Sequence, residues 1–229
     1  MSSGQGCPAG DRRRTIWVTG GGTREPIDAV RYVGNRSTGR LATAIVQEAS
    51  RRQHTVRAIL ASSISTELPN TVEHVKFETA IELMAALTSD TTSPDVLIHA
   101  AAVADYVPVP RSGKTPSGQG SWTLEMQPSP KVVDAFRQRH PATDILLFKL
   151  ETEISMEDLK VRALRAAGRV GARWVFANLL EQTGEEHAGV LLWAGSERQD
   201  RVAARPAIAR VLLDAIESAV DGAMEQEGA

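Results

Sequence analysis

Cysteine, lysine and long apolar runs are all scarce in this sequence of 229 residues. The single cysteine, Cys7, cannot form an internal disulfide, which predicts a cytoplasmic protein in a reducing, intracellular compartment. No run approaches the roughly 18 uninterrupted apolar residues of a membrane span, and the start of the chain has no apolar segment typical of a signal peptide. With 26 basic and 28 acidic residues, the net charge of -2 gives no field that would hold a polyanion. Nucleic-acid and membrane-surface binding are therefore disfavoured.

Only five of the 26 basic residues are lysines, so a lysine inside a motif is notable. The first 14 residues are polar and are predicted to form a flexible tail, followed by a single domain over residues 15–229. Cys7 lies in this tail without a neighbouring base that would activate it. We interpret it as a tail thiol rather than a nucleophile.

Short apolar runs alternate with longer amphipathic stretches along the chain. This pattern is typical of an α/β protein, and we expect a Rossmann-like fold of three layers with a mainly parallel sheet. The predicted strands cover residues 15–19, 55–60, 72–77, 95–100, 144–148, 173–177 and 189–193. The predicted helices cover residues 39–52, 80–87, 155–172 and 204–220, with Thr79 and Ser155 as N-caps of the second and third.

Residues 106–130 interrupt this alternation with a segment rich in Pro, Ser and Gly. Within it, residues 122–126 alternate in polarity as a strand does. Long loops inside a compact domain are usually functional or belong to an interface. We therefore expect this excursion to have one of those roles.

Three consecutive glycines, Gly20, Gly21 and Gly22, follow the first predicted strand. Backbone N–H groups can approach a phosphate closely at such a turn because no Cβ intervenes. A tight structural turn is the alternative interpretation. The dinucleotide fingerprint is absent, because no later spaced glycine opens a helix and no acidic residue ends the strand near Leu60.

A second candidate site immediately precedes the first predicted helix. Its members are Asn35, Arg36, Ser37, Thr38 and Gly39. A helix N-terminus, two hydroxyls and an arginine together predict an anion site, and an Asn amide can stabilise charge on an acyl intermediate. The alternative is a Ser/Thr N-cap with solvated arginines.

A third candidate site lies at the end of the strand at 95–100, where open α/β sheets bind ligands. Small residues such as Ala102 leave room for a flat base, and Asp105 can meet a ligand donor or a Mg²⁺-bound phosphate. A turn-capping role is the alternative for Asp105. We interpret His99, in an apolar strand, as a core histidine rather than a base.

Five motifs in this order resemble the phosphopantothenate–cysteine ligase family, also called phosphopantothenoylcysteine synthetase. They are TGGGTREPID (19–28), VRYVGNRSTG (30–39), AAVADY (101–106), FKLET (148–152) and ANLLE (177–181). The resemblance implies the free-standing form of a coenzyme A biosynthesis enzyme. In that reaction, 4′-phosphopantothenate and CTP or ATP with Mg²⁺ form an acyl-nucleotidylate and pyrophosphate, and the amine of L-cysteine then displaces the nucleoside monophosphate.

The resemblance also implies roles for individual residues. Asn35 would hold the acyl-nucleotidylate, and residues 36–39 would lie near the phosphate of phosphopantothenate. Lys114 would be the essential lysine of a flap, in which Pro116 and Ser117 replace further lysines of relatives. The full set predicted to contact the nucleotide is Gly20, Gly21, Gly22, Ala102, Asp105, Lys114, Pro130, Lys131, Val132, Val133, Phe148, Arg165 and Arg169. Family members are homodimers, and the 106–130 excursion would cross to the partner.

Two other functions are open alternatives. One is an NAD(P)-dependent short-chain oxidoreductase, which is disfavoured because neither Tyr32 nor Tyr106 is followed four residues later by a lysine. The other is a non-catalytic nucleotide-binding or regulatory relative. The presence of Asn35, Asp105 and Lys114 favours the enzyme over this second alternative.

Overall fold

A computed structural model of the chain describes residues 13–109, 111–118, 120–183 and 187–226, with side chains described to residue 219. Cys7 and most of the predicted tail lie outside these residues. The strands are β1 Thr15–Gly22, β2 Arg24–Pro26, β3 Tyr32–Gly34, β4 Thr55–Ala61, β5 Glu73–Phe77, β6 Val96–Ala102, β7 Tyr106–Pro108, β8 Met126–Pro128, β9 Asp144–Glu151, β10 Trp174–Leu179, β11 Gly189–Trp193 and β12 Gln199–Val202. The helices are α1 Arg40–Arg51, α2 Ala80–Thr88, α3 Val132–Arg139, α4 Met156–Val170 and α5 Arg205–Gln226.

Eight of the strands form one sheet in the order β12-β11-β10-β9-β6-β1-β4-β5. The six strands from β10 to β5 are parallel, and β11 and β12 are antiparallel at one edge. Helices α1 and α5 cover one apolar face of the sheet, and α2, α3 and α4 cover the other. The predicted three-layer, mainly parallel α/β fold is confirmed.

The sheet has its topological switch point between β1 and β6. From β1 the chain moves outward to β4 and β5, and then returns to the other side of β1 to form β6. Where the connections from two neighbouring strands lead in opposite directions, a crevice forms at the carboxyl ends of those strands. Open α/β sheets bind ligands in this crevice. The end of β1 at Gly22 and the end of β6 at Ala102 are paired across this point.

Local sequence chemistry accounts for two of the predicted helix starts. Thr79 caps α2 in a full capping box with Glu82, and the Ser155 hydroxyl accepts from the backbone N–H of Asp158 at the start of α4. Helix α1 begins within one residue of the prediction, and its N-cap is Gly39, with φ 69° and no side-chain cap, which excludes the alternative of a Ser/Thr N-cap. The hydroxyls that precede Gly39 are therefore not used as caps.

The excursion begins and ends in a short antiparallel pair formed by β7 and β8. The excursion contains strands, as predicted, but the strand-like stretch at 122–126 is only in part a strand: residues 121–125 are not, and β8 begins at Met126. Residues 122–125 alternate in polarity but do not pair as a strand, because β7 pairs only with Met126–Pro128. The β2–β3 hairpin was not predicted, since three-residue strands are too short to show a period.

None of the described helices is both long enough and apolar enough to cross a membrane.

Candidate active site at the carboxyl edge of the sheet

Two cavities open at the carboxyl edge on opposite faces of the sheet. The larger, about 730 Å³, lies on the α1 side and is here called the arginine cavity. Its lining residues are Gly22, Arg24, Asn35, Arg36, Ser37, Thr38, Arg40, Thr43, Ala44, Gln47, Ser63, Ile64, Ser65 and Thr66. The smaller, about 130 Å³, lies on the α3 and α4 side and is called the small cavity. Its lining residues are His99, Val103, Ala104, Asp105, Pro130, Lys131, Val132, Val133 and Arg169.

The arginine cavity is lined by positive charge. Arg24, Arg36 and Arg40 line it, and none of its described lining residues is acidic. The N-terminus of α1 adds the positive end of its dipole and backbone N–H groups that no side chain caps. Its volume falls within the roughly 300–1,000 Å³ of small-molecule sites.

A glycine at position 39 is required by the way this cavity is closed. Gly39 has φ 69°, and a Cβ there would lie 2.0 Å from the Ile64 side chain in the loop after β4. The first turn of α1 therefore packs directly on that loop, which supplies one wall of the cavity. Any other residue would be strained at this positive φ and would displace the Ile64 side chain.

Asn35 is fixed across the ends of β1 and β6. Its Nδ2 donates to the Ala102 carbonyl oxygen at 3.0 Å, and its backbone N–H donates to Thr23 at 3.4 Å. The Thr23 backbone N–H donates to the same Ala102 oxygen at 3.2 Å. Asn35 remains exposed on its other side, so the amide keeps one N–H and its oxygen available at the mouth of the arginine cavity.

Close packing explains the triple glycine better than a phosphate turn does. All three residues belong to β1 and are buried, and of the three only Gly22 lines a cavity. A Cβ at Gly20 would lie 2.2 Å from the Cβ of Ala42 on α1, and one at Gly22 would lie 2.4 Å from the Asn35 carbonyl oxygen. Gly21 has φ 91° and lies against Ala61. The glycines let α1 and the Asn35 segment approach the strand.

The small cavity brings together six of the thirteen residues predicted to contact a nucleotide. These are Asp105, Pro130, Lys131, Val132, Val133 and Arg169. Lys131 Nζ lies 3.5 Å from Asp105 Oδ1, and both side chains are more than half exposed. An exposed pair of this kind is weak, so either partner can exchange it for a ligand group. Arg169 forms an ion pair with Asp134 of α3.

Lys114 lies in neither cavity and is exposed in the excursion. The loop that carries it is tied to the β2–β3 turn: the Thr115 backbone N–H donates to Asp28 Oδ2 at 3.2 Å, and Arg31 donates to the Thr115 carbonyl at 2.8 Å. The Arg31 guanidinium and then the Val30 backbone N–H hold the pKa of the buried Asp28 well below its usual range. Asp28 therefore stays ionised and anchors the base of the flap.

The remaining predicted residues lie outside both cavities. Phe148 is half-buried and packs on Phe176, with ring centroids 5.4 Å apart. Arg165 is exposed on α4. Ala102 takes part through its carbonyl oxygen, which accepts from Asn35.

Several lining residues were missed from the sequence. Arg24 stands within the first motif but was not chosen, and the loop 62–66 follows the carboxyl end of β4, a position that predicts a ligand contact in an α/β sheet. His99 is buried, as predicted, and it also lines the small cavity, which was not predicted. No signal in the sequence distinguished these two environments for His99.

The described residues contain no group of three or more His, Cys, Asp or Glu side chains that could hold a metal ion. Asp105 offers a single exposed carboxylate at the small cavity. Mg²⁺ is commonly held by one or two carboxylates together with substrate phosphates and water. The residues present therefore fit a Mg²⁺ that a nucleotide brings, with Asp105 as one oxygen ligand.

These features define a Rossmann-like α/β domain with two cavities at the switch point of its sheet, the larger of them lined by three arginines. The chain belongs to the family described as the DNA/pantothenate metabolism flavoprotein C-terminal domain, whose model matches residues 12–220. The family resemblance of the five motifs is thereby confirmed.

Individual relatives agree with this membership. The chain is 36% identical over 183 residues to the coenzyme A biosynthesis bifunctional protein CoaBC of Thermococcus kodakarensis, a match that covers 78% of this chain and 44% of that protein. It is 36% identical over 122 residues to the Escherichia coli CoaBC, covering 52% of this chain and 30% of the relative. The chain thus spans about half the length, or less, of these curated relatives.

Solved structures share the fold. The DNA/pantothenate metabolism flavoprotein of Streptococcus pneumoniae matches with a TM-score of 0.82 and 23% identity, covering 90% of this chain and 99% of that one. The Cab2 mutant H337A in complex with phosphopantothenate-cysteine matches with a TM-score of 0.74 and 18% identity, covering 93% and 89%. At these identities the likeness concerns the fold.

Proposed function

We propose that the chain is a phosphopantothenate–cysteine ligase that joins 4′-phosphopantothenate to L-cysteine in coenzyme A biosynthesis. The observation that carries this proposal is the position of Asn35 beside the Ala102 carbonyl, where the ends of β1 and β6 meet between two cavities. The arginine cavity suits a phosphate-bearing acid, and the small cavity contains six of the thirteen residues expected to hold a nucleotide. A reaction that joins the two ligands needs such a meeting point.

In the first step, a carboxylate oxygen of phosphopantothenate attacks the α-phosphorus of the nucleoside triphosphate, and pyrophosphate leaves. In the second step, the amine of cysteine attacks the acyl carbon, and the nucleoside monophosphate leaves with the electron pair of the broken C–O bond. The activated carbonyl reacts without a nucleophile from the protein, so the protein contributes by positioning and charge stabilisation.

Each group of residues has a task in this scheme. Arg36 and Arg40, with the N-terminus of α1, hold the phosphate of phosphopantothenate, and Ser37 and Thr38 donate their unused hydroxyls. The free N–H of Asn35 donates to the acyl-nucleotidylate. Because its other N–H is held by Ala102, the amide is already oriented before the intermediate forms.

On the nucleotide side, Lys131 and Arg169 bring positive charge to the small cavity, and the backbone of residues 130–133 opens α3. A Mg²⁺ bound with the triphosphate would neutralise phosphate charge, with Asp105 as its protein ligand. Lys114 would approach the phosphates from the flap. Whether CTP or ATP is used is the first question for the assay.

We further propose that the chain acts as a homodimer through the excursion. Its apolar side chains Tyr106, Val109, Trp122 and Met126 are exposed to solvent. Residues of this size on one segment indicate a protein–protein contact. Size-exclusion chromatography with light scattering should give twice the mass of the chain at micromolar concentration. A stable monomer would refute the proposed dimer.

The activity is tested by incubating the purified protein with phosphopantothenate, cysteine, Mg²⁺ and either CTP or ATP. Pyrophosphate release that requires phosphopantothenate, together with a product of the mass of phosphopantothenoylcysteine, is the expected result. Nucleotide binding without pyrophosphate release would favour the non-catalytic relative. Oxidation or reduction of a nicotinamide cofactor would favour the oxidoreductase.

A further inference from the structure

His99 lies on β6 with its side chain at the wall of the small cavity and a residue exposure of only 9%. It is a buried titratable group to which the proposed mechanism assigns no task. Its surroundings determine which ring nitrogen carries a hydrogen, and that determines what the cavity offers a ligand.

The first step concerns Thr19, which is fully buried on β1. Its Oγ1 lies 3.0 Å from His99 Nδ1 and accepts a hydrogen bond from the backbone N–H of Ala101 at 3.2 Å. A backbone N–H can only donate, so the hydroxyl's own hydrogen needs an acceptor. Among the described residues, His99 Nδ1 is the acceptor within reach. Nδ1 therefore accepts, and the imidazole hydrogen is on Nε2.

The second step concerns charge. Burial lowers the pKa of His99 to about 4, so the ring is neutral at physiological pH. The fixed tautomer then presents a neutral N–H donor. Within the described residues, Nε2 has no hydrogen-bond partner.

The third step concerns the shape and lining of the cavity. About 130 Å³ corresponds to roughly four water volumes, enough for a flat ring but not for a whole nucleotide. Val103, Val132 and Val133 supply apolar walls, and the charged groups of Lys131 and Asp105 lie among the other lining residues. Apolar walls with one fixed donor suit a heteroaromatic ring that carries an acceptor atom.

We propose that His99 is a binding residue for the nucleotide base, and that its Nε2–H donates a hydrogen bond to a ring nitrogen or carbonyl oxygen of that base. The inference deepens the proposed function and rests on it. Thr19 acts through His99 as a positioning residue, because its hydroxyl sets the tautomer.

Two substitutions distinguish the role of His99 Nδ1 from that of His99 Nε2. In His99→Asn the short amide can still accept from Thr19 but does not reach as far as Nε2, whereas in His99→Gln the longer amide can place an N–H near the Nε2 position. The matched control is His74→Asn, at an exposed histidine of β5 that lies in neither cavity. Calorimetric titration with CTP and with ATP, each with Mg²⁺, measures nucleotide affinity directly.

We expect His99→Asn to weaken binding of the preferred nucleotide by roughly 2- to 12-fold, the effect of one neutral hydrogen bond. His99→Gln should retain more of the affinity than His99→Asn, and His74→Asn should retain all of it. If the wild type binds nucleotide and forms product but His99→Asn binds equally well, this inference fails and the proposed function stands. If His99→Asn instead raises only the KM for cysteine, the small cavity holds cysteine and the inference is overturned. A wild type that neither binds nucleotide nor forms product overturns both.

A measurement on the unaltered protein keeps the inference testable if a variant does not fold. The ¹⁵N shifts of the histidine rings report the tautomer, with the His99 ring identified by sequential resonance assignment. We expect a hydrogen on Nε2 and a shift of that nitrogen when CTP or ATP is added. A hydrogen on Nδ1, or an Nε2 signal that saturating nucleotide leaves unmoved, would overturn the assignment.

Discussion

Replacing Gly22 with alanine should damage the site without removing any polar group from it. The new Cβ would lie 2.4 Å from the Asn35 carbonyl oxygen and 3.3 Å from the Asn35 Cβ, whereas ordinary contacts begin near 3.4 Å. The obstructing atom belongs to the backbone and cannot rotate away. The Asn35 segment must therefore move outward by about 1 Å.

Two separate effects follow from that displacement. Movement of a positioning group by about 1 Å can reduce turnover by roughly 100-fold, because Asn35 loses its alignment with Ala102 and with the intermediate. Overpacking of this kind destabilises by about 1–3 kcal/mol. For a chain of this length, each kcal/mol lowers Tm by about 2–4 °C.

The assay is pyrophosphate release at saturating substrates, with Tm measured on the same samples. Gly168→Ala is the matched control, because that glycine lies within α4 and has nothing within 4 Å of its added Cβ. Its Tm should rise slightly, since alanine favours a helix over glycine by about 1 kcal/mol. Wild-type turnover in Gly22→Ala would refute the argument that close approach of β1 positions Asn35.

Three further predictions address charge. Asn35→Asp should lower turnover far more than nucleotide affinity, because a carboxylate oxygen would face both the Ala102 carbonyl and an anionic intermediate; equal losses in both would contradict the role of Asn35. Lys114→Ala should nearly abolish turnover with no change in Tm, since Lys114 is exposed; an unchanged rate would show that the flap assignment is wrong. Because the folded-state pKa of His99 is about 4 and its ordinary value 6.5, only the unfolded state takes up this proton as pH falls between those values. In urea unfolding, the wild type should therefore lose about 2–3 kcal/mol more stability between pH 7 and pH 4.5 than His99→Asn does.

Elements that depend on local chemistry could be predicted from the sequence. The α2 start at Thr79 is one, because the capping box needs only Thr79 and Glu82, three residues apart. The parallel strands β6 and β9 are others, because their apolar runs are long enough to identify them. The strand-like alternation at 122–126 misplaced the strand of the excursion, because pairing depends on a partner and β7 pairs no further than Met126.

In the site, too, features set by local sequence could be predicted and features set by distant contacts could not. The segment from Asn35 to Thr38 was found because several functional residue types stand together in the chain. His99 was predicted to be buried but not to line a cavity, because the same apolar strand context suits both a core histidine and one at a cavity wall. Its environment is set by residues far along the chain, Val132 and Val133 on α3. Tertiary contacts of this kind leave no periodic signal.

The scarcity of lysine has a physical counterpart in how the site uses its cations. The arginine cavity holds three guanidinium groups, whose planar donors suit the oxygens of a phosphate in a fixed position. Lys114 in the flap is exposed, and its flexible stem suits a charge that has to reach toward a ligand. The base of that flap is held at Thr115 by Asp28 and Arg31, in the same turn that leads through β3 to Asn35. Lys114, next to Thr115, is thus connected through this turn to Asn35, the residue with which it would act. Because this connection positions Lys114, a single flap lysine is compatible with the chemistry proposed.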